Sequence, residues 1–136
     1  MSGAAWLKPL RHPRLWLALW WLALLAVVAV CLVPATDLPR TPPGGDKVEH
    51  FLAYFLLMAS AVQVFAGRRA LCLAAAGLVA MGVAIEFAQA GLTATRGGDV
   101  WDAVADLLGV LAGWALVRTP LRDLLLHLER RIAPGA

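Results

Sequence analysis

Apolar residues are grouped along this chain into four long runs, and short polar segments separate the runs. The runs cover residues 15–33, 48–66, 70–92 and 101–117. A helix rises about 1.5 Å per residue and must cross about 30 Å of hydrocarbon, so one span needs about 20 apolar residues. The pattern therefore predicts an all-α fold, a four-helix transmembrane bundle in which residues 15–117 form the membrane domain.

The first run has two interpretations, because the basic residues Lys8, Arg11 and Arg14 precede it. A basic segment begins both a membrane anchor and a secretory signal peptide. A signal peptide has a shorter apolar core and a cleavage site of small residues, and Pro34 makes a poor site here. We therefore predict a retained anchor, followed by a loop over residues 34–46 whose prolines exclude regular helix.

The composition supports the membrane assignment and excludes a separate soluble catalytic domain. Hydrophobic residues make up 61% of the chain and charged residues 15%, whereas soluble domains are about a quarter charged. Topology explains the net charge of +3, since cytoplasmic loops carry the excess of lysine and arginine. With both termini in the cytoplasm, only Arg40, Lys47 and Arg96 of the twelve basic residues lie outside. The basic charge therefore gives no support to nucleic-acid binding.

Short segments flank the predicted membrane domain on both sides. Residues 1–14 are predicted to form a basic cytoplasmic segment, and residues 118–136 a cytoplasmic tail. In the tail, Thr119 and Pro120 are typical of a helix start, and leucines then recur at helical spacing opposite charged residues. We predict an amphipathic helix on the inner membrane surface, with a solvated tail as the alternative.

The acidic residues are concentrated on the opposite side from the basic residues. Glu86 is predicted to lie about 9 Å and Asp106 about 7 Å inside the bilayer, at about 1.5 Å per residue. Ionisable groups at that depth are costly in lipid and normally face the interior of a bundle. Seven of the nine acids lie in outer loops or outer helix ends: Asp37, Asp46, Glu49, Glu86, Asp99, Asp102 and Asp106.

Spacing within each run predicts that these polar side chains converge. His50 and Tyr54 are four residues apart, as are Asp102 and Asp106, so each pair shares one helix face. Glu86 and Gln89 share another face by their three-residue spacing. The face of Asp106 continues into Gly109 and Gly113, a GxxxG motif that lets a neighbouring helix approach closely. We therefore expect the fourth helix to be central, with acids above and glycines below.

Several chemical roles are open for these residues. Glu86 and His50 are the candidate catalytic residues, as general bases, although His50 is also interpretable as a metal ligand or as a polar helix end. Asp102 and Asp106 are candidate ligands for a hard divalent cation, and no cofactor is identified. The candidate substrate-binding residues are Arg96, Asp99, Asp102, Asp46, Lys47, Tyr54 and Gln89.

The simpler interpretations of these binding candidates are structural. Arg96 either pairs with Asp99 across a glycine turn or holds a phosphate or carboxylate in its guanidinium fork. Asp46 caps a helix and Lys47 extends its ammonium toward the headgroups. The candidates Tyr54 and Gln89 form interhelical hydrogen bonds.

The composite pattern resembles the VanZ-like family of small bacterial membrane proteins. The matching segments are Asp46-Lys47-x-x-His50-Phe51-x-x-Tyr54, Glu86-x-x-Gln89 and Arg96-x-x-Asp99-x-x-Asp102-x-x-x-Asp106-x-x-Gly109. The resemblance extends from Asp46 to Gly113, half of the chain. One position departs from the family pattern, because Asp106 stands where the family commonly has asparagine.

The resemblance implies a multi-pass protein of the bacterial cytoplasmic membrane with an envelope role. Members are associated with reduced susceptibility to teicoplanin-type glycopeptide antibiotics, and no reaction is established for the family. The leading hypothesis is a protein that acts on or binds an envelope lipid or lipid-linked precursor at the outer face. The alternatives are a structural or accessory membrane protein, or a small transporter coupled to protons or cations.

Overall fold

The computed structural model describes residues 6–34, 37–92 and 97–132. Within these residues the chain is helical and contains no strand; the one β-type contact is an isolated antiparallel bridge between Leu7 and Phe65. The elements in chain order are α1 (Pro13–Leu32), α2 (Gly45–Val64), α3 (Gly67–Leu92), α4 (Val100–Ala115), two short 3-10 turns (Leu116–Arg118 and Pro120–Asp123) and α5 (Leu124–Ile132). The prediction of an all-α fold is confirmed.

Three helices are long and apolar enough to cross a membrane: Pro13–Leu32, Gly67–Leu92 and Val100–Arg118, the last of which joins α4 to the following 3-10 turn. The membrane assignment is confirmed to that extent. Helix α2 also has 20 residues, but charged Asp46, Lys47 and Glu49 occupy its first turns. This polar first turn distinguishes the sequence of α2 from those of the other three long helices.

Helix α2, rather than α4, is the centre of the structure, so the expectation that α4 would be central is wrong. Tyr54, Met58, Ala61 and Val62 of α2 are almost completely buried, and α2 packs against α1, α3, α4 and α5. Helix α4 keeps an apolar face exposed, with Leu111 57% accessible. The reason is that α4 has small residues on one face only, and that face seats against α2.

The GxxxG motif makes the contact between α2 and α4 very close. A β-carbon added at Gly113 would lie 2.8 Å from the Cβ of Met58 and 2.8 Å from the carbonyl oxygen of Phe55. Gly109 meets the backbone of α2 one turn earlier, at Phe51 and Phe55. The predicted close approach of a neighbouring helix is present, and it fixes the register of α4 on α2.

The two ends of the helices have different structures. We call the end with Cys31, Gly45, Gln89 and Asp99 the pocket end. The opposite end, where α5 packs against the start of α1 and the end of α2, is called the tail end.

At the tail end, the segment before α1 and the first turn of α1 form hydrogen bonds with the C-terminal segment. Lys8 is 7% exposed, and its ammonium donates to the Asp123 carboxylate at 2.7 Å and to the Arg122 carbonyl at 2.6 Å. Glu129 accepts from the Arg11 amide and from the Trp16 indole, both at 2.6 Å. We call these contacts the tail clamp.

The C-terminal segment begins as predicted and then differs in detail. The Thr119 hydroxyl accepts a hydrogen bond from the Leu121 amide at 3.2 Å, as an N-cap residue does. The first turn is a 3-10 turn, and α5 itself starts at Leu124. Gln63 of α2 holds this junction, because its side chain bonds the Leu121 carbonyl and the Leu125 amide. Gln63 therefore anchors the tail to the helices.

Candidate functional site

The pocket end collects polar side chains from three helix ends and one loop. The first turns of α2 supply Asp46, Lys47 and His50, and the first turns of α4 supply Asp102 and Asp106. The last turns of α3 supply Glu86 and Gln89, and Asp99 precedes α4. The predicted convergence is therefore observed for all candidate site residues that the structure describes, although their roles differ.

Lys47 binds three carboxylates at the rim of the site. Its ammonium lies 2.8 Å from Asp46, 2.5 Å from Asp99 and 2.9 Å from Asp102. Asp99 also caps α4 by accepting from the Trp101 amide at 2.9 Å. Hydrogen bonding to the Lys47 ammonium, with help from the Trp101 amide, holds the pKa of the Asp99 carboxyl below its usual value. Lys47 is thus a structural cation that joins α2 to the start of α4.

His50 lies between two carboxylates of α4. Its Nδ1 is 2.9 Å from Oδ1 of Asp106, and its Nε2 is 3.7 Å from Oδ2 of Asp102. The geometry favours the tautomer in which Nδ1–H donates to Asp106, because that bond is the shorter one. The Nε2 lone pair then faces Asp102 and the pocket, where it can accept a proton or bind a cation.

Glu86 is buried, and only one of its two carboxylate oxygens accepts a hydrogen bond from the described residues. It is 9% exposed, and its Oε2 accepts a hydrogen bond from the Asp99 amide at 2.6 Å. Its other oxygen, Oε1, is buried without a hydrogen-bond partner among the described residues. Gly98 permits the bond, since a β-carbon there would lie 2.9 Å from the Glu86 carbonyl oxygen. Buried polar atoms normally have a hydrogen-bond partner, and the described residues supply none for Oε1.

Two of the predicted binding residues lie beneath or beside the pocket. Tyr54 is 1% exposed, so its hydroxyl is out of reach of a ligand in the pocket. Gln89 donates to the Cys31 carbonyl at 2.7 Å and thereby ties α3 to the end of α1, while it also lines the pocket. Gln89 thus matches the interhelical alternative, whereas the Tyr54 hydroxyl is buried with no hydrogen-bond partner among the described residues, so the predicted hydrogen bond of Tyr54 is not observed.

The pocket itself is a cavity of about 750 Å³ at this end of the molecule. The loop before α2 forms one wall and the ends of α1 and α3 form others. The lining residues are Val30, Leu38, Pro39, Arg40, Thr41, Pro42, Pro43, Gly44, Asp46, Glu49, His50, Gln89, Gly97, Asp99 and Asp102. Arg96, the predicted anion-binding residue, lies outside the described residues.

The sequence analysis did not identify two residues of this site. Arg40 lines the pocket, and its signal was that it is one of only three basic residues predicted on the outer side. Gly82 of α3 is buried opposite Asp106, where a β-carbon would lie 2.6 Å from Oδ2 of that carboxylate. No sequence pattern separates Gly82 from the other glycines of α3, so only the packing shows its role.

Two groups of side chains have the spacing of cation ligands. His50, Glu86 and Asp102 each offer an atom within 4.8 Å of the others, and so do Asp46, Asp99 and Asp102. The Lys47 ammonium already binds all three members of the second group. The predicted pair of cation ligands, Asp102 and Asp106, has divided roles, because Asp106 contacts Nδ1 of His50 whereas Asp102 lies near Nε2.

Comparison with known proteins gives no relative for this chain. No protein-family model, no curated protein and no solved structure matches it. The function therefore has to be argued from the site.

Proposed function

We propose that the chain is a VanZ-like membrane protein that binds or acts on a cell-envelope lipid or lipid-linked precursor. In this proposal all four long helices span the bacterial cytoplasmic membrane, both termini lie in the cytoplasm and the pocket opens at the outer face. The orientation is supported by the basic residues, which are concentrated at the tail end. An effect on glycopeptide susceptibility belongs to the same proposal and derives only from the family resemblance.

The observation that carries the proposal is the mixed lining of the pocket. Asp46, His50 and Asp99 line one part, whereas Val30 and Leu38 line another. A binding site for a small molecule typically combines apolar walls with a few placed polar groups. A lipid needs both at one place, because its polar headgroup joins its acyl chains at the depth where the spanning helices end. The pocket end provides that combination.

The basic and acidic groups suggest how a headgroup would be held. Lys47 is already neutralised by three carboxylates, so Arg40 is the described cation that remains for an anionic headgroup. Arg96 was predicted for the same role. His50, oriented by Asp106, presents Nε2 as an acceptor, and a base oriented by a third group is the arrangement used in general base catalysis. Glu86 does not line the pocket, but its Oε2 holds the amide of Asp99, which does.

A lipid comparison tests the proposal. Lipid extracts from deletion cells, cells that overexpress the wild type and cells that overexpress Glu86→Gln are compared by mass spectrometry. We expect a lipid or lipid-linked species that changes with the wild type and returns to the deletion level with Glu86→Gln. Asp37→Asn is the control, because Asp37 is an exposed carboxylate at the same end of the molecule that does not line the pocket. Identical lipid profiles in all strains, with the proteins present in equal amounts, would contradict the proposal.

A structural or accessory role is the second candidate, and the Lys47 ion pairs favour it. Three carboxylates around one ammonium join α2 to the start of α4 and contribute to helix association without any ligand. Under this alternative, substitution of Glu86 and His50 leaves the lipid profile intact, whereas substitution of Gly109 or Gly113 removes the protein from the membrane.

Transport receives no support from the core. Between Asp106 and the tail end the buried described residues are apolar, among them Met58, Val62, Leu78 and Val110. The Ser60 hydroxyl donates to carbonyls of its own helix, and Gln63 holds the tail. A proton or cation relay needs polar groups through the bilayer, and the described core has none between the pocket end and the tail end.

A further inference from the structure

We infer that His50, Glu86 and Asp102 form a binding site for one divalent transition-metal ion at the floor of the pocket. One imidazole and two carboxylates are a donor set that suits Zn²⁺ and similar ions. The candidate ligand atoms lie within 4.8 Å of one another. Metal–ligand bonds of about 2.0–2.2 Å require ligands closer than that, so small side-chain movements bring the three onto one ion.

Glu86 provides evidence for the metal site that is independent of the spacing of the acids. The residue is 9% exposed, and its Oε1 atom is itself buried, with no hydrogen-bond partner among the described residues. The other oxygen is fixed by the Asp99 amide at 2.6 Å, so the carboxylate cannot rotate freely to satisfy Oε1 elsewhere. A cation between Glu86, His50 and Asp102 satisfies this buried oxygen.

Asp106 gives His50 the orientation of a metal-binding histidine. In such sites the non-ligating ring nitrogen donates to a carboxylate or carbonyl, which fixes the tautomer and the ring plane. The Nδ1 of His50 is 2.9 Å from Oδ1 of Asp106, whose side chain is 3% exposed. The opposite nitrogen, Nε2, is directed toward Asp102 and is therefore the ligand atom.

Lys47 distinguishes this group from the neighbouring acidic group. The carboxylates of Asp46, Asp99 and Asp102 surround its ammonium, which already provides their positive partner. Lys47 contacts Oδ1 of Asp102, whereas Oδ2 is the oxygen nearer to His50. Asp102 thus has one oxygen for the lysine and one for the metal ion.

Three protein ligands leave coordination positions open toward the pocket. Water fills them in the absence of substrate, and a phosphate oxygen of a lipid headgroup is the chemical group that would replace it. The identification of a phosphate rests on the proposed function, but the metal site itself does not. The ion would also offset the negative charge that the acids place in the pocket, which otherwise opposes binding of an anionic headgroup.

Zinc binding to the purified, tag-free protein tests the inference. The full chain in detergent is stripped with a chelator, and Zn²⁺ binding is followed by calorimetry and by metal analysis. We expect one Zn²⁺ per chain, a loss of at least about 100-fold in affinity for Glu86→Gln and His50→Ala, and unchanged binding for Asp37→Asn, at an exposed carboxylate that does not line the pocket. Asp106→Asn is expected to weaken binding by about 10- to 100-fold, because it changes the group that orients His50. Equal affinity in the wild type and Glu86→Gln would overturn the site.

X-ray absorption of the zinc-loaded wild type gives a second result that does not depend on folding of the variants. We expect one imidazole nitrogen together with oxygen ligands. Sulfur, or two or more imidazoles, would refute the assignment, because the other histidines, His12 and His127, lie toward the tail end. Zinc binding with an unchanged lipid profile refutes the lipid function alone, whereas a Glu86-dependent lipid profile without zinc binding refutes the metal site alone.

Discussion

Asp106 illustrates how much a single side chain in this site depends on its neighbours. One oxygen binds Nδ1 of His50 at 2.9 Å, and the other lies in the space that Gly82 leaves open. The carboxylate is 2% exposed as a residue, so it has little room to move. The position of His50 is therefore set partly by a glycine on a third helix.

We expect Gly82→Ala to destabilise the protein by about 1–3 kcal/mol, the usual range for overpacking a tight contact. The added β-carbon would lie 2.6 Å from Oδ2 of Asp106 and 3.3 Å from the Tyr54 hydroxyl. Thermal unfolding of the purified protein in detergent measures the change. Gly91→Ala in the same helix is the control, because a β-carbon there meets no described atom within 4 Å. Equal unfolding temperatures for the two variants would contradict the close contact.

At the scale of the helices, the packing of α4 against α2 determines where the site residues meet. Gly109 and Gly113 allow the backbones to approach, and Asp106 and Asp102 lie one and two turns before Gly109 on the same face. The helix contact therefore carries the two aspartates to the polar start of α2. A shift of α4 along α2 would separate His50 from both.

Substitution of Gly113 tests this contact. We expect Gly113→Ala to lower stability by about 1–3 kcal/mol, since backbone atoms of α2 lie within 2.9 Å of the new methyl group and cannot move aside cheaply. Gly77→Ala on the exposed side of α3 is expected to be neutral or stabilising by up to about 1 kcal/mol, because alanine is the better helix former. The unfolding temperatures of both variants are compared with that of the wild type. An unchanged unfolding temperature for Gly113→Ala would contradict the close packing of α4 against α2.

The sequence was sufficient for the helices and for most residues of the site, but not for Arg40, Gly82 or the internal geometry of the site. The apolar runs predicted helical segments because 3.6-residue periodicity and length are local properties. The depth of Glu86 and Asp106 predicted convergence, because buried charge is too costly to be left facing lipid. The partner of each carboxylate depends on the register of α2, α3 and α4, which no local pattern specifies. For that reason the centrality of α2 and the role of Gly82 became visible only in the fold.

At the scale of the whole molecule, the two ends of the bundle use their charges differently. At the pocket end, several carboxylates surround Lys47 and His50. At the tail end, Asp123 binds the Lys8 ammonium and Glu129 accepts a hydrogen bond from the Arg11 amide. Between the two ends the buried side chains are apolar. A change at one end is therefore expected to leave the charges of the other end undisturbed.

The pH dependence of the tail clamp provides a prediction at this scale. Hydrogen bonding to the Lys8 ammonium lowers the pKa of Asp123. A lowered folded-state pKa adds stability above the unfolded value of about 3.9, and this stability is lost as the pH falls through the folded value. We expect Asp123→Asn to cost about 1 kcal/mol at pH 7, because the carboxylate is 39% exposed and partly screened.

Thermal unfolding at pH 7 and at about pH 3 checks this prediction. The difference between wild type and Asp123→Asn should shrink at the lower pH, since the wild-type carboxyl is then becoming protonated. Glu49→Gln, at an exposed carboxylate of the pocket end, serves as the control for a change of net charge. A difference that is the same at both pH values would show that the ion pair contributes no stability.

The tail clamp also constrains the order in which the protein can be assembled. The partners of Lys8 and Arg11 lie more than 110 positions later, at Asp123 and Glu129. Such contacts have a long sequence separation, and their formation is slow compared with that of neighbouring helices. During synthesis, Lys8 and Arg11 are made more than 110 residues before these partners. The ammonium of Lys8 can therefore become buried against Asp123 only after the C-terminal segment has been made.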